Sequence, residues 1–423
     1  MKKDIFSVME CTKAVSVVIL CAVFLWTGCG LQPTREQMRE SREATDFEEK
    51  EHGAGKGSYE NTQADSQEAL PLFLTEYGEA VPRFACESLT EAEQVWYREI
   101  ERSLGNREES LRLSQEGLEA GLDETNIDGI FQCVLNDHPE LFFVEGYTYT
   151  KYTRGDRLLA IDFAGTYSMD AKEVLLRKEQ IEEAADSLLS GIAENASQYE
   201  KVKYVYETVI QNTDYALDAP DNQNIYSVFA GRRSVCQGYA KAVQYLLNRL
   251  GMECTLVIGT VDTGESHAWN LVKVDGDYYY VDATWGDASY RIEEPGSVDG
   301  TFMPEINYDY LCVTTEELLR THTLGGAVPM PACTAKDANY YVREGALFDT
   351  YDREQLQRLF DEAKAQGRTD VSIKCSDEAV YRELYRALIE EQDIFDYPGG
   401  DSRTIAYALN EKQLSLTFWV TNE

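Results

Sequence analysis

At 423 residues, with an average apolar share, the chain is long enough for two or three domains with sizeable cores. It carries 39 Lys and Arg against 75 Asp and Glu, a formal charge of -36, which repels the phosphates of nucleic acid and anionic membrane faces alike. Nucleic acid is therefore excluded as a partner, and the acidity reads as a well-solvated surface.

In chain order, Lys2 and Lys3 precede an apolar stretch from Ala14 to Trp26. At about a dozen residues it is shorter than the ~20 a membrane-spanning helix needs, so it reads as an export signal. The run Trp26-Thr27-Gly28-Cys29 resembles a lipobox, with Trp where Leu is usual. Residues 1–28 would then be the signal peptide, with Cys29 diacylated and first in the mature chain. Residues 29–68 are rich in Glu, Gln, Ser and Gly and bury too little to fold, as befits a tether. The expected location is extracytoplasmic, at the membrane surface through the lipid.

Residues 69–195 read as an N-terminal α/β cap. Helices are expected at 90–104 and 124–136, strands at 141–152 and 157–164, and a helix pair over 170–212 broken near Ala196. His138, beside Pro139, is expected to cap the second helix. The core, 196–325, has helix 235–250 and strands near 253–261, 266–274 and 277–284, an α+β order. Ser234 and Gln237 have capping-box spacing, which sets Cys236 in the first turn, and Gly251 ends the helix. A helix N-terminus favours the thiolate, and a neighbouring imidazolium adds to that, bringing a Cys pKa into the range of roughly 3.5 to 7.5.

Asp275-Gly276 has the signature of a two-residue type I′ turn. Counting outward, Trp269 falls opposite Asp282, and His267 becomes the diagonal neighbour of Asp282 on one face, ~7 Å apart at Cβ. A three-residue loop would send Asp282 to the other face. A thiol at a helix start, an imidazole and a carboxylate are the parts of a relay for acyl transfer. The Cys236 amide, by its place at the helix start, is an oxyanion-donor candidate. Trp269 and Trp285 flank the relay and are candidates to line a substrate channel. A loop from Gly286 to about Asn307 has the length of a lid. His322 stands in a polar turn with no role assigned. Residues 326–423 read as a small α/β appendage: a strand, helix 353–366, strand 370–375, helix 377–391 and paired strands near 404–419. Cys86, Cys133, Cys254, Cys312, Cys333 and Cys375 leave several disulfide pairings open, and Cys254 is expected to be buried and inert.

The runs SVCQGYAKAVQYLLNRLGMECTLVIGTV and ESHAWNLVKVDGDYYYVDATWGD resemble the transglutaminase-like superfamily of papain-type folds, in its bacterial secreted lipoprotein branch. The segment NDHPELFFVEGYTY is similar to one that often precedes this domain. The resemblance implies Cys236 as nucleophile, His267 as general base and acid, Asp282 as the group orienting the imidazole, and a second oxyanion donor upstream of Cys236, for which Gln223 and Tyr226 are the candidates, with no spacing to select between them. It implies an extracytoplasmic cysteine-dependent enzyme acting on amide bonds of peptides or proteins through a thioester. Hydrolysis by a peptidase or amidase is slightly favoured, because water needs no second pocket. The alternatives are transglutaminase-type cross-linking and a non-catalytic surface binding protein. Wall peptides or exported proteins are the substrates location suggests. No EF-hand loop, CxxC pair, HExxH helix or phosphate-binding glycine loop occurs, so no metal or other cofactor is expected.

Overall fold

The computed structural model describes residues 6–11, 83–154, 157–288, 304–326, 328–398 and 403–421. The apolar stretch, Cys29, the tether and most of the lid-length loop lie outside the described residues. The chain forms two compact units. One takes in Glu183–Gly326 and Met330–Glu423 with the N-terminal strand, and the other is built from Leu31–Glu182.

In the latter unit, helix Glu91–Asn106 starts at a Thr90/Glu93 capping box, and helix Glu124–Asp137 starts at an Asp123/Asn126 box. The two helices pack on each other, and Trp96, Ile100, Leu104, Ile130 and Phe131 are buried in the core of the unit. The hairpin Val144–Arg154 and Arg157–Tyr167 forms a three-stranded sheet with Leu111–Arg112. His138 is the C-cap of the second helix and is buried between Glu101 and Glu140, at 3.1 and 2.8 Å.

The other unit is mixed α+β. Helices α1 (Gln198–Gln211), α2 (Ile225–Phe229) and α3 (Cys236–Arg249) precede strands β1 (Cys254–Val261), β2 (Ser266–Val274) and β3 (Asp277–Val281). A single helical turn, α4 (Ala283–Gly286), and short strands β4 (Leu311–Val313) and β5 (His322–Leu324) follow. The sheet is antiparallel throughout, in the order β4-β3-β2-β1-β5. α3 lies on it, with Tyr239, Val243, Leu246 and Leu247 at 0% exposure. Each such aliphatic side chain contributes about 1.5–3 kcal/mol over an exposed one. Leu250 caps the helix and Gly251, at φ +72°, turns the chain away.

The hairpin has the two-residue loop: Val274 pairs with Asp277, and Asp275 and Gly276 adopt φ +52° and +100°. The last strand ends three residues short of the expected 284, because Asp282 leaves the ladder to cap α4. Its Oδ1 accepts from the amides of Thr284 and Trp285 at 3.0 and 3.1 Å.

Beyond residue 330, α5 (Arg353–Ala365), β6 (Asp370–Cys375), α6 (Glu378–Tyr385), β7 (Arg403–Asn410) and β8 (Ser415–Thr421) follow the expected order. A second sheet runs Phe6–Cys11, β7, β8, β6, Leu347–Phe348; its first strand falls within the expected signal peptide, and cleavage before Cys29 would remove it and leave β7 at the edge. Buried polar groups join it to the core. Asp309 accepts from Tyr341, Asn410 and Ser415 at 2.7–2.8 Å, and Lys374 lies 3.3 Å from Glu317.

Candidate active site

Cys236 opens α3, but the cap is not the one the spacing suggested. The N-cap is Val235, with no side-chain cap, because Ser234 is buried in a two-residue strand paired with Tyr215. Its hydroxyl bonds the Asn222 carbonyl and Ser227 Oγ instead, each at 2.7 Å, while the Val235 amide donates to the same Asn222 carbonyl at 3.1 Å. A local capping box lost to a tertiary contact: the 222–224 turn is clamped onto the start of the helix. Gly238 permits this closeness, since a Cβ there would stand 1.9 Å from Ser234 Oγ and 3.0 Å from the Asn222 oxygen.

The Cys236 side chain is 5% exposed and clusters with Ala240, Leu256 and Ala268, the last being the neighbour of His267 in β2. Asn270 Nδ2, two residues on, donates to the Ala240 carbonyl at 2.9 Å and fixes β2 against the first turns of α3. The Tyr239 hydroxyl lies 2.8 Å from Asp287 Oδ2, which ties the same helix to the residue after α4.

His267 Nε2 is 2.7 Å from Asp282 Oδ2, so the diagonal pairing counted from the hairpin brings ring and carboxylate into direct contact. Both are buried, at 3% and 1% exposure. A third group, unassigned from the sequence, completes the cluster: His322 Nε2 lies 3.1 Å from the same Oδ2, and its Nδ1 is 2.8 Å from Thr321 Oγ1. Burial works to raise the Asp282 pKa, but His267 and then His322 outweigh it by charge and hydrogen bonding and hold the carboxyl well below its usual range. Burial, opposed by Asp282, lowers the His322 pKa.

The contact with His322 requires a curled sheet. Its strand β5 pairs with β1 (His322 opposite Val261) and stands three places from β3, whose end carries Asp282. At 4.7–4.9 Å per strand that separation is about 14 Å in a flat sheet. The sheet instead curls so that the end of β3 approaches β5, and Val261, Trp285 and Tyr310 pack together there. Gly259 assists, since a Cβ there would meet the Thr323 carbonyl at 2.1 Å and the Trp269 ring at 2.5 Å. Trp269 and Trp285 are buried and wall the imidazoles: their ring centroids lie 5.8 and 6.0 Å from His267 and 4.9 and 4.7 Å from His322.

The ligand-type atoms of His267, Asp282 and His322 lie within 4.8 Å of one another. Hydrogen bonds already join them, so the cluster needs no ion to account for it. Gln223 is half-buried in the turn clamped to α3, next to Asn222. Tyr226 is the second residue of α2, its amide bonded by Asn224 at 2.8 Å. The seven cysteines from Cys86 to Cys375 are free thiols, none in a disulfide. Burial pushes Cys86 and Cys333 up to about 11 and Cys133 and Cys375 up to about 12, and it raises Cys254 and Cys312 as well, which disfavours their thiolates near neutrality.

Residues 186–283 match the model of the transglutaminase-like superfamily. Kyphoscoliosis peptidase of Mus musculus is 24% identical over 123 residues, which is 25% of this chain and 19% of that protein; the Homo sapiens protein is 25% identical over 118 residues, 24% and 18%. The chain thus spans under a fifth of the length of these relatives. Among solved structures, a transglutaminase crystal structure is similar at 12% identity and TM-score 0.26, covering 38% of this chain and 57% of that one. The periplasmic domain of TgpA from Pseudomonas aeruginosa bound to ethylmercury is similar at 20% identity and TM-score 0.20, covering 33% and 60%. The chain carries a transglutaminase-like domain, with distant relatives named as peptidases.

Proposed function

We propose that this protein is a cysteine-dependent acyl-transfer enzyme acting on amide bonds of peptides or proteins. The observation that carries the reading is the buried His267–Asp282 pair beside the start of the helix that opens with Cys236. Nε2 of His267 is committed to the carboxylate, so Nδ1 is the atom assigned to proton exchange with the thiol. The sulfur attacks the amide carbonyl carbon, and the oxyanion that forms faces the positive end of α3, where the Cys236 amide lies. Gln223, in the turn clamped to that helix end, is favoured over Tyr226 as a second donor. The imidazolium gives its proton to the departing amine, leaving a thioester. Water then adds to the thioester and releases the acid and the thiol. A primary amine in place of water would leave a new amide and make the enzyme a cross-linking transglutaminase.

Hydrolysis is the favoured outcome, since it requires no acceptor pocket, and the name of the distant relatives favours it too. The lipobox-like run ending at Cys29 supports an exported, lipid-anchored protein whose substrates are wall peptides or exported proteins. Iodoacetamide should alkylate Cys236 at pH 6 far faster than an ordinary thiol, and His267→Ala should abolish the advantage. A thiol titrating near 8.5 in the intact protein would leave only a binding role. Incubation with a glutamine-containing peptide, with and without a labelled primary amine, separates the two acceptors: Cys236-dependent label in the peptide would overturn hydrolysis.

A further inference from the structure

We propose that His322 is a positioning residue for the Asp282–His267 pair, a second and uncharged imidazole that grips the carboxylate and divides its hydrogen-bonding capacity between two rings. The inference rests on the reading of Cys236 and His267 as the working pair.

A histidine buried in a core needs one acceptor and finds one anywhere. His322 instead takes the oxygen that His267 already uses. Asp282 is saturated as a result: Oδ1 holds the Thr284 and Trp285 amides, and Oδ2 holds the two imidazoles at 2.7 and 3.1 Å. A carboxylate held at four points has no rotation left by which to release His267. The tautomer of His322 follows from its partners. An ionised carboxylate only accepts, so Nε2 must carry the proton, and in a neutral ring Nδ1 must then accept; the Thr321 hydroxyl at 2.8 Å can supply that proton by turning it from the Leu318 carbonyl, the longer contact at 3.4 Å. Burial at 2% exposure among Trp269, Trp285 and Tyr310 favours the uncharged ring. The titratable groups facing it are Asp282, His267 and Tyr310, whose hydroxyl lies 3.4 Å from Thr321 Oγ1. All belong to the network or border it.

Sharing has a chemical effect. A neutral donor on Oδ2 withdraws part of the charge that would otherwise stabilise an imidazolium at position 267. His322 therefore keeps His267 less basic than an exclusive carboxylate partner would, which eases proton delivery to a departing amine.

The test is the pH profile of Cys236 alkylation by iodoacetamide in the intact chain, whose alkaline limb reports His267 losing its proton. In His322→Leu the limb should move up by about half to one pH unit, as expected for loss of one hydrogen bond to a carboxylate. His322→Gln places an amide N–H where Nε2 stood and should restore the wild-type limb. Thr321→Val, which leaves the ring in place but its tautomer unfixed, should shift the limb the same way by less, and it carries the test should the leucine variant not fold. An unmoved limb in variants that melt as cooperatively as wild type would overturn the proposal. So would one zinc per purified chain that is lost in His322→Leu, since the ring would then be a metal ligand. A wild-type profile with no perturbed thiol removes the underlying reading, whereas a perturbed wild-type profile unmoved by the variants removes only the role of His322.

Discussion

Replacing Asp282 with Asn tests the relay most sharply, because the amide keeps the shape and loses one acceptor. Its oxygen can still cap α4 by accepting from Thr284 and Trp285. Its NH2 then faces two imidazole Nε2 atoms that had been donating to Oδ2. Two hydrogen bonds to a charged acceptor are lost, each worth about 1.5–3 kcal/mol, partly offset if each ring moves its proton to Nδ1 and accepts from the amide. A net loss of about 2–4 kcal/mol follows, roughly 5–12 °C in melting temperature for a unit of this size. The tautomer change matters more for chemistry, since a His267 protonated on Nδ1 cannot take the thiol proton there. Turnover should fall by about 10⁴, and the alkylation advantage of Cys236 at pH 6 should vanish. The pH dependence has a definite sign. The Asp282 pKa is depressed by folding, so its stabilisation is complete above the unfolded value of about 3.9 and fades as pH falls through the folded value. Differential scanning calorimetry should find the gap between wild type and Asp282→Asn constant from pH 5 to 7 and closing below about pH 4. A gap independent of pH, or a variant that alkylates at the wild-type rate, would refute the reasoning.

Gly238→Ala forces a Cβ to within 1.9 Å of Ser234 Oγ and 3.0 Å of the Asn222 oxygen, so the clamp on α3 must open. A loss of about 1–3 kcal/mol in urea unfolding is expected, with slower Cys236 alkylation as the helix start shifts. Glu317→Ala leaves the Lys374 ammonium, 3% exposed at its side chain, without its carboxylate and should cost about 3–5 kcal/mol. The double variant with Lys374→Met should recover most of that, and a purely additive double-mutant cycle would contradict the pairing. At His138, burial opposes protonation but Glu140 and Glu101 prevail, raising its pKa to about 9. Its stabilisation is full below about 6.5 and is lost as pH rises through about 9, so the melting-temperature deficit of His138→Leu should shrink between pH 7 and 10.

What could be read from the chain divides along the range of the interactions involved. The hairpin register needed only Asp275-Gly276 and a count of two, and that local rule sufficed to bring His267 to Asp282. The α3 stripe and its Gly251 stop were equally local. Ser234 shows where such rules fail: the spacing to Gln237 is that of a capping box, but a carbonyl twelve residues upstream competes for the hydroxyl and wins. His322 was illegible for a related reason. It lies forty residues beyond Asp282 on a three-residue strand too short for any periodicity, and only the bending of the sheet brings the two together.

That bending also decides what keeps the carboxylate dry. A movable flap would expose the relay each time it opened to exchange substrate and product. Among the described residues the shelter comes from the packed body of the fold, where Val261, Trp285 and Tyr310 cluster beside the imidazoles. Asp282, at 1% exposure, is thus kept from solvent by side chains that belong to the core. The penalty falls on resilience: a small residue placed at Tyr310 or Trp285 would admit solvent and silence the chemistry before the protein unfolded.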